Sequence, residues 1–455
     1  MNKPIFFVSL IVLVGILFPS VANAQQLSSG YFTDGYLYRF KANPAFGNDQ
    51  SFVSFPGVGD LNVAYRGNAR LTDFVFRKNG QDVTFLNENV GTQEFLGNLN
   101  DYTHLGVSAA IPVMSFGFKG FHGYNTISVS ASTSASLKVP KDLFRLLKEG
   151  TNIQSYDISH AAAHLTATAE VALNHSHQIT KDLRIGATLK ILVGAGDLDM
   201  NFEKAKLTLD GDYWTAVTNG KVQASVKNME FMIDENNESG DEYVDDFDLG
   251  SFGISGFGAA IDLGAEYKFR DFKFSLALLD LGFMHWSDTY VASTDGDQTL
   301  KIDKDAFANN VEDGGMGDEW EEIGDNLSDL YELKDMGNIG GRSTSLATTM
   351  NLGVEYTLPM YKKLSFGLLN TTRFQSDYTW TEFRLSANFA PCKFFSMGIN
   401  GAVGTFGSAF GWIVNLHPTG FNLFVGMDHT IFGLSEMGIP SSKATSVNLG
   451  VNFPF

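Results

Sequence analysis

Apolar and polar residues alternate one for one through long stretches of this chain, and that period of two constrains the fold more than any other feature. At the C-terminus Val447, Leu449, Val451, Phe453 and Phe455 alternate with Asn448, Gly450, Asn452 and Pro454. Leu183, Ile185, Ala187, Leu189, Ile191 and Val193 oppose Arg184, Gly186, Thr188 and Lys190. Ile261, Leu263, Ala265, Tyr267 and Phe269 oppose Asp262, Gly264, Glu266, Lys268 and Arg270, and Phe383, Leu385, Ala387 and Phe389 oppose Arg384, Ser386 and Asn388. From Phe421 to Asp428 the pattern recurs, with Phe424 breaking the polar side. Successive strand residues point to opposite faces, so each run predicts a strand with one apolar and one polar surface. No segment beyond the N-terminal leader holds the roughly 18 consecutive apolar residues of a spanning helix.

A soluble sandwich alternates in the same way, so turn spacing has to separate the two classes. Short polar turns fall at Lys181-Asp182, Arg270-Asp271, Tyr361-Lys362-Lys363, Cys392-Lys393 and Pro418-Thr419-Gly420. The first two intervals are long enough for two strands plus a large insertion, and the later ones fit two strands and a modest connection. Short turns at one end and long loops at the other are the asymmetry of a transmembrane barrel. The expected fold is therefore all-β, an antiparallel barrel of about fourteen strands (twelve to sixteen), with short helices in the N-terminal region and loops. Upstream strands are expected at 61–76, 103–119 and 125–137, with Ile111-Pro112 as an alternative turn and 210–228 as an alternative hairpin.

Lys3, the apolar run Ile5 to Phe18 and Ala22-Asn23-Ala24 have the order of a secretory leader cleaved after Ala24, which sends the chain to the outer membrane. One cysteine among 455 residues excludes a disulfide framework and Cys-based metal sites. A formal charge of −19 leaves no footprint for nucleic acid. That charge is localised: nine acidic and no basic residues lie between Met229 and Asp248, and fifteen acidic against three lysines between Asp288 and Asp335. The rest of the chain is nearly neutral. Both segments fall in the long intervals and are expected as extracellular insertions near 210–250 and 287–341. Asp234, Asn236 and Glu238 have the odd spacing of a calcium loop, but the glycine comes one position late at Gly240, so solubility and repulsion from anionic surface glycolipid are the simpler reading. Trp320, Ile323, Leu327 and Leu330 recur at helical spacing, as in a short helix over the barrel mouth.

Four stretches resemble a known group. Asn43-Pro44-Ala45 is similar to the Asn-Pro-Ala motif near the N-terminus of the long-chain fatty-acid transporter (FadL-type) superfamily and its Bacteroidota relatives. Val139-Pro140-Lys141-Asp142-Leu143-Phe144 with Gly150, Leu183-Arg184-Ile185-Gly186 with Leu189-Lys190, and Asp262-Leu263-Gly264 with Tyr267-Lys268 resemble a Bacteroidota outer-membrane family of unknown function. The resemblance implies a fourteen-stranded barrel over residues 61–455, with residues 25–60 as an N-terminal segment plugging it, and no established substrate.

The polar faces supply the candidate site residues. His160, His164 and Glu170 share one strand face and are expected in the lumen, but residues four apart on a strand stand about 13 Å apart, too far to share a metal ion. Arg184, Lys190, Asp262, Glu266, Lys268, Arg270 and Arg384 should also face inward, as ion-paired packing if a plug fills the barrel and as channel lining if one does not. His175 and His177 take the apolar face near a turn, and Trp286, Trp380 and Trp412 fit interfacial aromatic girdles. Lys141 to Lys148 reads as a short amphipathic helix behind Pro140, at the rim or against a plug. Nucleophile-elbow, zinc and phosphate-loop motifs are absent from the sequence, and neither enzyme activity, cofactor nor metal is expected. Phe453 and Phe455 end the chain as a C-terminal assembly signal for the barrel-assembly machinery; the other expected partners are outer-membrane lipid and lipopolysaccharide. The leading functional expectation is FadL-like passage of a small hydrophobic solute. A partner-binding accessory of surface display or secretion comes second, and an outer-membrane enzyme third.

Overall fold

The computed structural model describes residues 27–149, 155–210, 213–233, 244–248, 253–294, 296–303, 333–375, 379–430 and 443–455. Among them fourteen strands form the wall of a closed barrel. They are β1 (Leu61–Gly67), β2 (Tyr102–Gly120), β3 (Gly123–Pro140), β4 (Ala161–Gln178), β5 (Leu183–Asp210), β6 (Gly256–Phe269) and β7 (Phe272–Trp286), then β8 (Thr348–Thr357), β9 (Leu364–Phe374), β10 (Trp380–Cys392), β11 (Phe395–Gly404), β12 (Gly407–Leu416), β13 (Asn422–Met427) and β14 (Ala444–Pro454). Each pairs antiparallel with the next. β14 returns to β1 with Val447 opposite Val63, which removes both sheet edges.

The period of two is visible in the burial. On β5 the apolar Leu189 and Ile191 are 58% and 59% exposed on the outside, while Thr188 and Lys190, which alternate with them, are buried. An apolar outer face around a closed hydrogen-bonded sheet is a membrane-spanning architecture, because no backbone donor is left unpaired in lipid.

Several boundaries differ from expectation. β1 stops at Gly67; Val75–Lys78 and Gln81–Thr84 form a separate hairpin. Ile111-Pro112 is not a turn but lies inside β2, where the register shifts between Pro112 and Met114 because proline has no N–H for the ladder. The strand Tyr213–Val226 pairs with the far half of β5 and extends the sheet beyond the barrel instead of adding to its wall. Trp286 and Trp380 do not form a girdle: both are buried on the inner side.

A large apolar cluster of the described residues lies at the long-loop end. The loop between β1 and β2, the helix Lys141–Glu149 and the outer half of β5 pack together through Phe85, Phe95, Phe144, Leu146, Tyr156 and Phe202. Phe85 and Phe95 stack at 4.2 Å. The helix starts directly after Pro140, with the Lys141 N–H donating to the Asp101 carbonyl at 2.8 Å, and it belongs to this rim cluster. Phe95→Ala should cost roughly 3–5 kcal/mol of local stability. The expected readout is faster proteolysis within residues 68–101 with the barrel still migrating as a folded, heat-modifiable species. Loss of the barrel itself would show that the rim is not an independent unit. The calcium-like spacing at 234–240 and the helical spacing at 320–330 lie outside the described residues.

Candidate functional site: the lumen and its floor

The N-terminal segment runs inside the barrel. Tyr31, Tyr36, Tyr38, Phe40 and Phe46 are buried, and Tyr36 and Tyr38 pack on Phe424, with ring centroids 4.8 Å and 6.0 Å away. The aromatic that breaks the polar side of β13 therefore belongs to a packed floor, not to an apolar channel wall. At the start of the segment the Ser28 and Ser29 N–H groups donate to the Asp428 carboxylate at 2.9 and 2.6 Å. Tyr38 donates its hydroxyl hydrogen to Asn452 Oδ1 at 2.7 Å, and Lys41 pairs with Asp60 at 2.6 Å.

The quoted motifs meet at one place. A one-turn helix, Arg39–Ala42, ends ahead of Asn43-Pro44, as expected for a residue preceding proline. Asn43 Oδ1 accepts the Ala45 N–H at 3.0 Å and closes a local turn. Asn43 Nδ2 then donates to the Ala265 and Leu276 carbonyls, both at 3.2 Å. Asn174 Nδ2 donates to the Pro44 carbonyl at 3.2 Å, Ser176 Oγ to the Ala45 carbonyl at 2.7 Å, and Asn351 Nδ2 to the Ala42 carbonyl at 2.9 Å. The wall beneath is bare backbone: Gly186 and Gly264 are direct register partners on β5 and β6. A Cβ on Gly186 would overlap the Pro44 carbonyl, and one on Gly264 would overlap Asn43 Oδ1. The glycines of two sequence motifs are thus the landing site of the third.

Above this floor lies a cavity of about 890 Å³ reaching towards the long-loop end. One wall is hydroxyl-rich: Ser128, Ser130, Ser132, Ser134 and Ser136 on β3, with Thr166 and Thr168 on β4. Another wall is charged. Lys190 Nζ bonds Asp280 Oδ1 at 2.6 Å and Asp262 Oδ2 at 2.9 Å, with Glu170 at 3.9 Å. The register of β6 and β7 shifts here, Asp280 sits in the left-handed region at φ 60°, and its N–H donates to Asp262 Oδ1 at 2.7 Å. That irregularity brings two carboxylates to one lysine. A second network joins Arg384 to Glu382 at 2.6 Å, to Asn400 and to the Asp428 carbonyl, with His429 on the other Glu382 oxygen at 2.8 Å.

Of the predicted lumen residues, Glu170, Lys190 and Asp262 are brought together and Arg384 stands in the separate network. His164 lines the cavity, with Thr166 at 2.8 Å and Asp199 at 3.5 Å. Arg184 and Glu266 lie lower, beside the inner segment, and Lys268 is exposed near the short turns. His160 does not share the strand face: β4 begins at Ala161, and His160 occupies an exposed left-handed turn. Sequence reasoning passed over Asp280, Arg373, Arg66, Glu382, His429 and the serine row. Two signals were present: serine at every second position from Ser128 to Ser136, and a lone acid in the apolar run Leu278-Leu279-Asp280-Leu281.

These features define a membrane-spanning β-barrel with part of its own N-terminal segment bonded to the inner wall, beneath a cavity lined by both polar and apolar groups. Residues 44–428 match the model described as Family of unknown function (DUF5723), and the chain belongs to that family. No curated protein matches the sequence. Similar solved structures include the Ralstonia pickettii toluene transporter TbuX (8% identity, 96% of this chain and 95% of that one, TM-score 0.40). A Pseudomonas aeruginosa FadL homologue shows 10% identity over 96% of this chain and 99% of its own, with TM-score 0.38. A TodX deltaS2S3 mutant monoaromatic hydrocarbon channel shows 8% identity over 91% and 92%, with TM-score 0.42.

Proposed function

We propose that this protein sits in the outer membrane, long loops outward, and admits a small polar solute, with the N-terminal segment as the floor that must shift for passage. The observation that supports this reading most is the cavity lining. The serine hydroxyls along β3 offer hydrogen-bonding groups that a polar solute can engage and an apolar one cannot. On this reading the solute is polar, where the sequence led to the expectation of a hydrophobic one. The test is swelling of proteoliposomes in arabinose, for the wild-type protein and for Gly264→Leu, which displaces the floor. Swelling above the protein-free rate, faster in the variant, is the expected result. Rates equal to protein-free vesicles for both proteins would sink the reading.

The two long acidic segments motivate a second reading, a platform that holds a protein partner at the cell surface. Stoichiometric co-purification from detergent-solubilised membranes supports it, and recovery of the barrel alone counts against it.

A further inference from the structure

Arg66 sits near the long-loop end of β1, lines the cavity and is nine-tenths buried. Its guanidinium lies over the Trp380 ring at 4.6 Å. Among the described residues, Nε and Nη1 have no hydrogen-bond partner. A buried guanidinium without acceptors is costly, since each unpaired donor forfeits its hydration.

The neighbouring charges are already matched. Arg384 holds Glu382 at 2.6 Å. Arg373 reaches Asp280 at 4.0 Å and donates to Thr349 Oγ1 at 3.0 Å. The Asp428 carboxylate accepts the Ser28 and Ser29 N–H groups. No carboxylate within ion-pair distance of Arg66 is recorded among the described residues, while Phe374, Trp380 and Phe406 line the same part of the cavity. One buried positive charge on the cavity lining is thus left without a carboxylate partner among the described residues.

We propose that Arg66 is the anchor of a subsite for the carboxylate of a small, monoanionic, hydroxyl-bearing solute. Guanidinium and carboxylate match in shape and can pair through two parallel hydrogen bonds. A single negative charge fits because Glu382 and Asp428 stand near Arg66 and disfavour a dianion such as phosphate. The serine row of β3 supplies donors and acceptors for the solute's hydroxyls. This inference deepens the passage reading, since it names the solute class, but its test does not require passage.

The experiment is equilibrium dialysis of radiolabelled gluconate against the detergent-solubilised full chain, with glucose and inorganic phosphate as competitors. Gluconate should bind saturably, and glucose should compete at least tenfold more weakly. Arg66→Gln should weaken gluconate binding tenfold or more, and Arg66→Lys should restore part of it. Retention of wild-type binding in Arg66→Gln, competition by glucose as strong as by gluconate, or no saturable binding would each overturn the proposal. Displacement by phosphate at equal or lower concentration would assign the site to phosphate and overturn the carboxylate assignment. Should Arg66→Gln fail to assemble, the competition series on the wild-type protein decides. A protein that binds gluconate but swells no vesicles would refute passage and leave this subsite standing.

Discussion

Gly264→Leu, and separately Gly186→Leu, should release the N-terminal segment from the barrel wall while leaving the barrel assembled. Each new side chain would occupy the volume of the Asn43-Pro44-Ala45 turn, and neither strand can retreat because both are held on two sides. Displacing the turn breaks the bonds from Asn43 to the Ala265 and Leu276 carbonyls and those from Asn174, Ser176 and Asn351. At about 1 kcal/mol net for each bond, the loss is roughly 5 kcal/mol of docking free energy. Arg39 and Lys41 lie in the segment, so trypsin reads the state directly. The wild-type barrel should resist cleavage there, and the variants should be cut at least tenfold faster with unchanged heat-modifiable mobility. Gly401→Ala is the control, because an added Cβ at that site meets nothing within 4 Å. Equal cleavage in wild type and variants would show that the motif does not hold the segment.

Lys190→Met should be the most damaging single change in the cavity. It leaves Asp262, 2% exposed, and its neighbour Asp280 without the cation that both contact. Breaking a buried pair by removing one partner typically costs about 3–5 kcal/mol. The triple change Lys190→Met, Asp262→Asn, Asp280→Asn removes the uncompensated charges as well and should recover most of that loss. Asparagine is suitable at position 280 because it tolerates the left-handed backbone found there. The measurement is the denaturant midpoint for loss of folded-barrel mobility, with the single variant well below both the triple variant and the wild type. A single variant as stable as the triple would mean that the cluster is hydrated and that the lysine does not hold it together.

Much of the fold was legible because strand alternation is local. The runs at 183–193, 261–269, 383–389 and 447–455 needed only their own residues to declare one face apolar, and all four are barrel wall. Strand ends were less legible. Tertiary packing draws 68–101 into the rim cluster around Phe95, so β1 ends at Gly67 although residues 75–78 have strand character. The site was read in part. Lys190, Asp262 and Glu170 were grouped as polar-face residues, but the second carboxylate on Lys190, Asp280, lies on what regular alternation makes the apolar side of β7. Trp286 and Trp380 were misplaced for the same reason: a tryptophan near a strand end reads as interfacial until the face it occupies is known.

The sequence by itself determined that this chain is an antiparallel barrel with an apolar outer face, and that its net negative charge is concentrated in two segments. Alternation, turn spacing and charge distribution are all properties of neighbouring residues. Only the tertiary structure decided what the barrel contains. Asn43 is well over a hundred residues from both Gly186 and Gly264, and the three meet because closure of the sheet and entry of the N-terminal segment bring them to one point. The same closure sets Arg66 of β1 over Trp380 of β10 and leaves its Nε and Nη1 without a hydrogen-bond partner among the described residues. Pairwise contacts between distant strands depend on register and closure, and a period of two carries neither.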